Sequence, residues 1–524
     1  MTTLQQRPTS PDEQLDRLPV RAPRALLTAV ERPDESPRLR AGVVVASVVA
    51  MLAVGFWGLD RGSMWLDETA TYTVVTRPVH QILAVLDHID LVHGAYYLLM
   101  HVWMLPGGGE VWMRVPSVLA MGVAAAATAG LGTRLAGART GLVAGLLFAG
   151  WPLVSYYAQE GRSYALVTGA VLAATYCLVR ALSGGRRRWW WGYGLAIVVA
   201  TTLNELAVLA LTAHAVTVLL SRVGWRVWRW WAVAVLVCGA LMVRVTLLSL
   251  EQADQVAHTA AIGRSTFVVL QGKFLGTSPW VLTLALGLVV LGVAAELRRW
   301  RHHEGGALAA VALPLLLVPV AALLAVSLVH PLFEVRYVLF CVAGLPLLAA
   351  RGVEVLAALA ARATSRTAVG WAVAGLLVAA VSLAQLPDLR HERTVGSRSQ
   401  DFAGAAAVLR AQAQPGDAVI FLPMSFRLGA LAYPEGFAQV DDVALQKTAV
   451  RAANLRGTAR KPADVRAAML ERDRIWVFGT VNLRVKSTDK AGTNQMAVLD
   501  EHFVQERRNV VRGVEVDLYV RKDG

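Results

Sequence analysis

The chain is divided into apolar runs of about 20 residues, the length that carries a helix across roughly 30 Å of hydrocarbon, and the runs are separated by short arginine-rich connections. Eleven runs can be placed, near 40–59, 114–133, 141–158, 163–183, 190–204, 205–221, 230–249, 278–297, 306–329, 337–351 and 368–386. The fold class that follows is a polytopic α-helical membrane protein. Composition agrees, since 56% of the 524 residues are hydrophobic and only 17% charged, against about 25% charged in soluble domains. A purely cytosolic enzyme is excluded. The three cysteines, Cys177, Cys238 and Cys341, all fall inside apolar runs and the 44 glycines follow no three-residue period, so neither a disulfide scaffold nor a collagen-like repeat fits.

The formal net charge is +14, and its placement decides its meaning. Arg134 and Arg139, Arg186 to Arg188, Arg222 with Arg226 and Arg229, Arg298 with Arg299 and Arg301, and Arg351 with Arg362 and Arg366 occupy alternate connections. That alternation is the positive-inside pattern, and it predicts a cytoplasmic N-terminus. Tryptophans beside these arginines, among them Trp189 to Trp191 and Trp300, read as an interfacial belt, and no nucleic-acid partner is expected. Residues 1–38 read as a disordered cytoplasmic tail without a cleavable apolar region. With eleven spans, everything after Leu386 is expected outside, so the protein is a multi-pass cell-membrane protein with a transmembrane domain over 39–389.

From 390 to 524 the charges return and the apolar runs shrink to strand length. Asp401 to Gln412 and Pro462 to Arg472 have helical spacing, whereas Ala418 to Leu422, Ile475 to Phe478 and Val514 to Val520 read as strands. A C-terminal extracytoplasmic α/β domain is expected. No glycine-rich phosphate loop opens its helices, and its expected work is to cover the membrane part or help bind an acceptor.

The first outer connection, 60–113, is long and chemically rich. Asp67 and Glu68 follow Trp65 and Leu66 shortly after the first span. At a hydrocarbon boundary such a carboxylate can be partly desolvated, which raises its basicity toward that of a useful general base. A solvated interfacial pair or a helix cap would look the same in sequence.

The surroundings narrow the choice. Trp65-Leu66-Asp67-Glu68, the stretch His93 to Trp103, Arg114-Val-Pro116-Ser117, Tyr156-Tyr157-Ala-Gln159-Glu160-Gly161-Arg162-Ser-Tyr164 and His330-Pro-Leu-Phe-Glu-Val-Arg336-Tyr337 occur in that order. This order resembles the GT-C superfamily of polytopic glycosyltransferases, in particular family 39-like enzymes related to protein O-mannosyltransferases and lipid A aminoarabinose transferases. The resemblance spans roughly 40–350. It implies an inverting transferase on the outer face that moves a sugar, mannose or arabinose-like, from a polyprenyl-phosphate donor to a lipid, glycan or protein acceptor of the cell envelope. It assigns the catalytic carboxylate to Asp67, with Glu68 as its partner. It also implies substrate-binding roles for His93, Tyr97, Arg114, Tyr157, Arg336 and Tyr337, and for Gln159, Glu160 and Arg162, which could bind sugar hydroxyls, orient the Asp67 loop, or form a polar helix terminus with an internal ion pair. The sequence departs from the pattern at His93-Gly94-Ala95, where relatives carry His-Pro-Pro, and at Gly161, where alanine is common.

A sugar phosphoester already carries a good leaving group, so the chemistry asks for a base at the acceptor hydroxyl and positive charge at the phosphate. Arg336, Lys273, Arg264 and Arg244 are the candidate phosphate cations, Arg244 because an arginine within apolar sequence is costly and so marks function or a snorkelling side chain. Asp87, His88, Asp90 and His93 are residue types that hold a divalent cation, although their spacing matches no metal motif. No metal ligand is assigned and no cofactor is certain, with a divalent cation left open. A lipid or glycolipid flippase is the alternative class, and the absence of internal repeats or paired broken spans argues against it.

Overall fold

The computed structural model describes residues 36–184, 186–251, 263–276, 279–302, 306–482 and 489–522, so the tail expected over 1–38 lies, up to residue 35, outside the described residues. The first span, α1 (Pro37–Phe56), starts where the Ser36 side chain accepts from the Leu39 amide, and Pro37 stands where a helix has no use for the missing N–H. Three short helices follow in the first connection: α2 (Leu66–Val75), α3 (Val79–Leu86) and α4 (Gly94–Met104). Then come α5 (Glu110–Ala136) and the pieces α6 (Ala138–Ala149) and α7 (Pro152–Ala158), which form one element bent by 61°. α8 (Tyr164–Leu182), α9 (Arg188–Leu203), α10 (Ala210–Leu220), α11 (Trp225–Glu251), α12 (Arg264–Leu275), α13 (Pro279–Arg301), α14 (Ala307–Ser327), α15 (Gly344–Thr364) and α16 (Thr367–His391) complete the membrane part.

Among the described residues, eight helical segments are long and apolar enough to cross a membrane, or nine if the bent pair is one span. All eleven expected runs are helical. Two of them are short, α9 at 16 residues and the stretch Glu205–Leu220, which opens as a 3₁₀ turn. The run expected at 337–351 is instead continuous from Val335 to Thr364. Arg351, expected in a connection, therefore lies inside α15, where its Nε donates to Glu296 Oε1 of α13 at 2.8 Å. A cation within a span is retained when a neighbouring helix supplies its partner. Close approach of these two helices depends on Gly292 and Gly352, where an added Cβ would run into the Leu348 and Leu288 carbonyl oxygens.

The C-terminal part is the expected α/β domain. α17 (Phe402–Gln412), capped by Asp401, leads to β1 (Asp417–Leu422), α18 (Arg427–Ala432), β2 (Val440–Asp442), β3 (Leu445–Lys447), β4 (Thr458–Ala459), α19 (Pro462–Leu470), β5 (Arg474–Gly479), α20 (Lys490–His502), β6 (Phe503–Val511) and β7 (Val514–Arg521). The main sheet runs β2-β1-β5-β7-β6, parallel across β2-β1-β5 and antiparallel through β7 and β6. Strand β1 shows why: Ala418, Ile420 and Leu422 pack against α19 and α20, while Val419 and Phe421 pack toward α17. Both faces are covered, which is the condition for parallel pairing.

Candidate active site

The site grows from the first turn of α2. Asp67 and Glu68 both stand there, where the helix dipole favours negative charge. Successive helical residues diverge by about 100°, so the two side chains face different surroundings. Asp67 remains 27% exposed and its Oδ2 accepts from Arg336 Nη1 at 3.0 Å. Glu68 is fully buried and takes a bidentate pair from Arg114, Nε to Oε1 and Nη2 to Oε2, both at 2.9 Å. The Gly161 amide adds a third bond to Glu68 Oε1 at 2.8 Å. Burial alone would raise the Glu68 pKa, but Arg114, Arg398 and the Gly161 amide hold it below the usual carboxylate value.

A second turn, 159–163, closes over this pair. Gln159 Nε2 donates to the Gly55 and Trp57 carbonyls at 2.9 and 2.8 Å, fixing the turn to the end of α1. Arg162 Nη1 donates to Thr71 Oγ1 at 3.0 Å, and its Nη2 lies 2.9 Å from His93 Nε2. An arginine can only donate, so His93 accepts at Nε2 and is the neutral tautomer. Burial, with Arg162 beside it, keeps the His93 pKa well below its ordinary value. Glu160 is buried with one carboxylate oxygen unpartnered, and desolvation pushes its pKa up to about 7 against the pull of Arg398. At Gly161 a Cβ would press on the Met113 side chain at 2.6 Å, a local reason for glycine there.

Arg336 enters from the 3₁₀ segment Val335–Ala343 that precedes α15. Its guanidinium lies 5.8 Å from the Trp65 ring, 5.6 Å from Tyr164 and 5.8 Å from Tyr337, within cation–π range. Tyr157 adjoins Tyr164 at 5.9 Å, so an aromatic wall runs from Tyr157 to Tyr337. Lys273 of α12 reaches the Tyr156 ring at 5.4 Å, on the flank of the site. Tyr97 donates to Asp90 Oδ2 at 2.9 Å.

Thus Asp67, Arg336, Tyr337, Arg162 and His93 converge on one face. Glu68, Arg114, Gln159 and Glu160 form the buried layer behind it, while Tyr157, Lys273 and Tyr97 surround it. Arg244 lies in α11, with its side chain outside the described residues, and Arg264 opens α12. The quartet considered for a cation does not converge: Asp90 is engaged by Tyr97, His93 by Arg162, and His88 Nδ1 by the Ala84 carbonyl at 2.9 Å. Among the described residues no group of three or more His, Cys, Asp or Glu is placed to hold a metal.

Sequence reasoning missed the contributions of the C-terminal domain. Arg398, 3% exposed, donates from Nη2 to the Gln159 carbonyl at 2.8 Å and from Nη1 to Glu160 Oε2 at 3.4 Å, and stacks 4.2 Å over the Tyr156 ring. Gln400 Oε1 accepts from the Leu66 amide at 3.3 Å. Tyr433 donates to Glu110 Oε2 at 2.7 Å, and Glu110 also accepts from the Met64 amide at 3.1 Å. Arg393 and Arg398 stand just past the last apolar run, where arginine is also common as a membrane-edge residue, so nothing local sets them apart.

The described residues form a bundle of membrane-length helices with a helical first connection, an acidic helix start facing an arginine, and a C-terminal α/β domain, the architecture that the resemblance implies. Residues 93–250 match the model of the family described as dolichyl-phosphate-mannose-protein mannosyltransferase. The fold is similar to that of ArnT from Cupriavidus metallidurans bound to undecaprenyl phosphate, at 16% identity and TM-score 0.55 over 91% of this chain and 98% of that one. It is also similar to the Archaeoglobus fulgidus oligosaccharyltransferase in its apo form, at 10% identity and TM-score 0.50 over 84% of this chain and 70% of that one. No curated protein matches the sequence.

Proposed function

We propose that the protein is a membrane glycosyltransferase that moves a sugar, mannose or arabinose-like, from a polyprenyl-phosphate donor to a hydroxyl of a cell-envelope acceptor on the outer face, with inversion. The observation that carries this reading is the pairing of the half-buried Asp67 with Arg336 at 3.0 Å, a base and a phosphate cation side by side on one face. The match of residues 93–250 to a family named for a polyprenyl-phosphate sugar donor supports the same substrate class, as does the similarity to an ArnT bound to undecaprenyl phosphate.

In this reading the acceptor oxygen attacks the anomeric carbon and its proton passes to Asp67. The bond from that carbon to the phosphate oxygen breaks, and the polyprenyl phosphate leaves with the electron pair. Arg336 spends one N–H on Asp67 and has others for the phosphate oxygens, whose charge grows as the bond breaks. Neutral His93 and the tyrosine wall are suited to sugar hydroxyls. Glu68, locked by Arg114, positions Asp67 and takes no proton. The test is to incubate purified protein in lipid with a mannosyl or arabinosyl polyprenyl phosphate and an envelope extract. Labelled sugar should appear on the acceptor fraction with release of polyprenyl phosphate; failure of both donors with active lipid-handling controls would reject the proposal.

A further inference from the structure

The C-terminal domain inserts charge and hydrogen bonds beneath the reacting loop. Its first segment, 398–403, touches that loop at two points and the 159–160 turn at a third. Arg398 grips the 159–160 turn. Gln400 accepts from the Leu66 amide, one of the N–H groups that α2 cannot satisfy within itself. The Ala403 amide donates to Ser63 Oγ at 3.0 Å, in the extended stretch four residues before Asp67. Arg398 is in turn anchored in its own domain, since its carbonyl accepts from Arg512 Nε at 3.2 Å.

The turn held by Arg398 is the one whose Gly161 amide binds Glu68, and Glu68 is the residue beside Asp67 on α2. The chain of contacts runs from the outer sheet through Arg398 and the 159–161 backbone to Glu68. A parallel route runs through Gln400 directly to the start of α2. Three buried ionisable groups, Glu68, Arg114 and Glu160, face Arg398 within this network, so its guanidinium also favours the charged forms of two buried carboxyl groups.

We propose that Arg398, with Gln400, is a positioning residue for the transfer, so that the C-terminal domain is part of the catalytic unit. The proposal rests on the reading that Asp67 is the base. Losing the grip should let α2 shift, and a displacement near 1 Å costs about 10²-fold in rate. Arg398→Ala should therefore lower kcat by roughly 10- to 10²-fold, with binding of undecaprenyl phosphate unchanged within about twofold. Arg398→Lys keeps the charge but loses the planar fork, and should recover part of kcat. Gln400→Ala, a milder change at a half-buried side chain, should cost about fivefold, the size of losing one helix-start hydrogen bond.

Amide exchange supplies a readout independent of transfer. In the full-length protein in lipid, Arg398→Ala and Gln400→Ala should speed exchange over residues 60–76 while the β1 and β5 amides keep wild-type protection. Wild-type kcat and wild-type exchange at 60–76 in both variants would overturn the proposal. So would a loss of protection throughout the chain with donor binding lost in parallel, which marks a general structural role. If wild-type protein transfers from no polyprenyl-phosphate donor, the functional reading fails while the exchange comparison still decides the coupling.

Discussion

Arg336 reaches back 269 residues along the chain to donate to Asp67 Oδ2 at 3.0 Å, and it does so from the short 3₁₀ segment that precedes α15 rather than from the middle of a span. One guanidinium therefore faces both the carboxylate and the tyrosine wall. Its planar N–H fork suits a phosphate bearing two or more free oxygens. Arg336→Ala should raise the donor concentration needed for half-maximal transfer and lower kcat. Arg336→Lys should be less damaging because it keeps the charge without the fork. Measured donor affinities ranked wild type, then Lys, then Ala support the role, and wild-type turnover in both variants removes Arg336 from the site.

Glu68 should behave as a structural partner. Glu68→Gln leaves the Arg114 charge buried without its counter-ion, and breaking such a pair costs about 3–5 kcal/mol. Thermal unfolding in detergent should show a marked drop in Tm, while turnover per folded molecule falls less than for a change at Asp67. An unchanged Tm would mean that water or a rearranged carboxylate already satisfies Arg114.

The pH dependence of stability has a defined sign. Burial raises the Glu160 pKa from 4.5 to about 7, so the folded state binds its proton more tightly than the unfolded chain. The stabilisation this gives is fully present below about pH 4.5 and is lost as pH rises through about 7. Glu160→Gln removes the titrating group, and its Tm relative to wild type should climb between pH 5 and pH 8. Asp517, also pushed up to about 7 by burial, is common to both proteins and cancels in the difference. A flat difference across that range would show that Glu160 does not titrate there.

Orientation is open to a simple check. If the arginine-rich connections lie in the cytoplasm, residues 390–524 are outside, and a reporter active only outside the cytoplasm should give signal when fused after Gly524. A silent fusion, with the matching cytoplasmic reporter active, would reverse the assignment.

Much of the architecture was legible because it is written in local periods. Asp401 to Gln412 shows helical spacing and forms α17, and Ala418 to Leu422 reads as a buried strand because both of its faces are apolar. Strand β6, Phe503–Val511, was not anticipated: Gln505, Glu506, Arg507 and Arg508 give an exposed edge strand a polar surface. The candidate site stands out in the sequence through Asp67 and the ordered motifs around it. Arg398 and Tyr433 did not, since their roles come from tertiary contacts with Glu160 and Glu110, more than 200 residues away in the chain. Arg351 was misplaced for a similar reason, because Glu296 on a neighbouring helix makes a charge within a span tolerable.

Asp67 carries the proposal, and its replacement by asparagine separates chemistry from folding. The side chain is partly exposed and keeps its size, so Asp67→Asn in lipid should retain wild-type Tm and bind undecaprenyl phosphate normally. Single-turnover transfer from a polyprenyl-phosphate sugar should fall by about 10² to 10⁴, the contribution of a general base. Near-normal transfer by Asp67→Asn, or a larger loss per folded molecule in Glu68→Gln, would show that Asp67 is not the base.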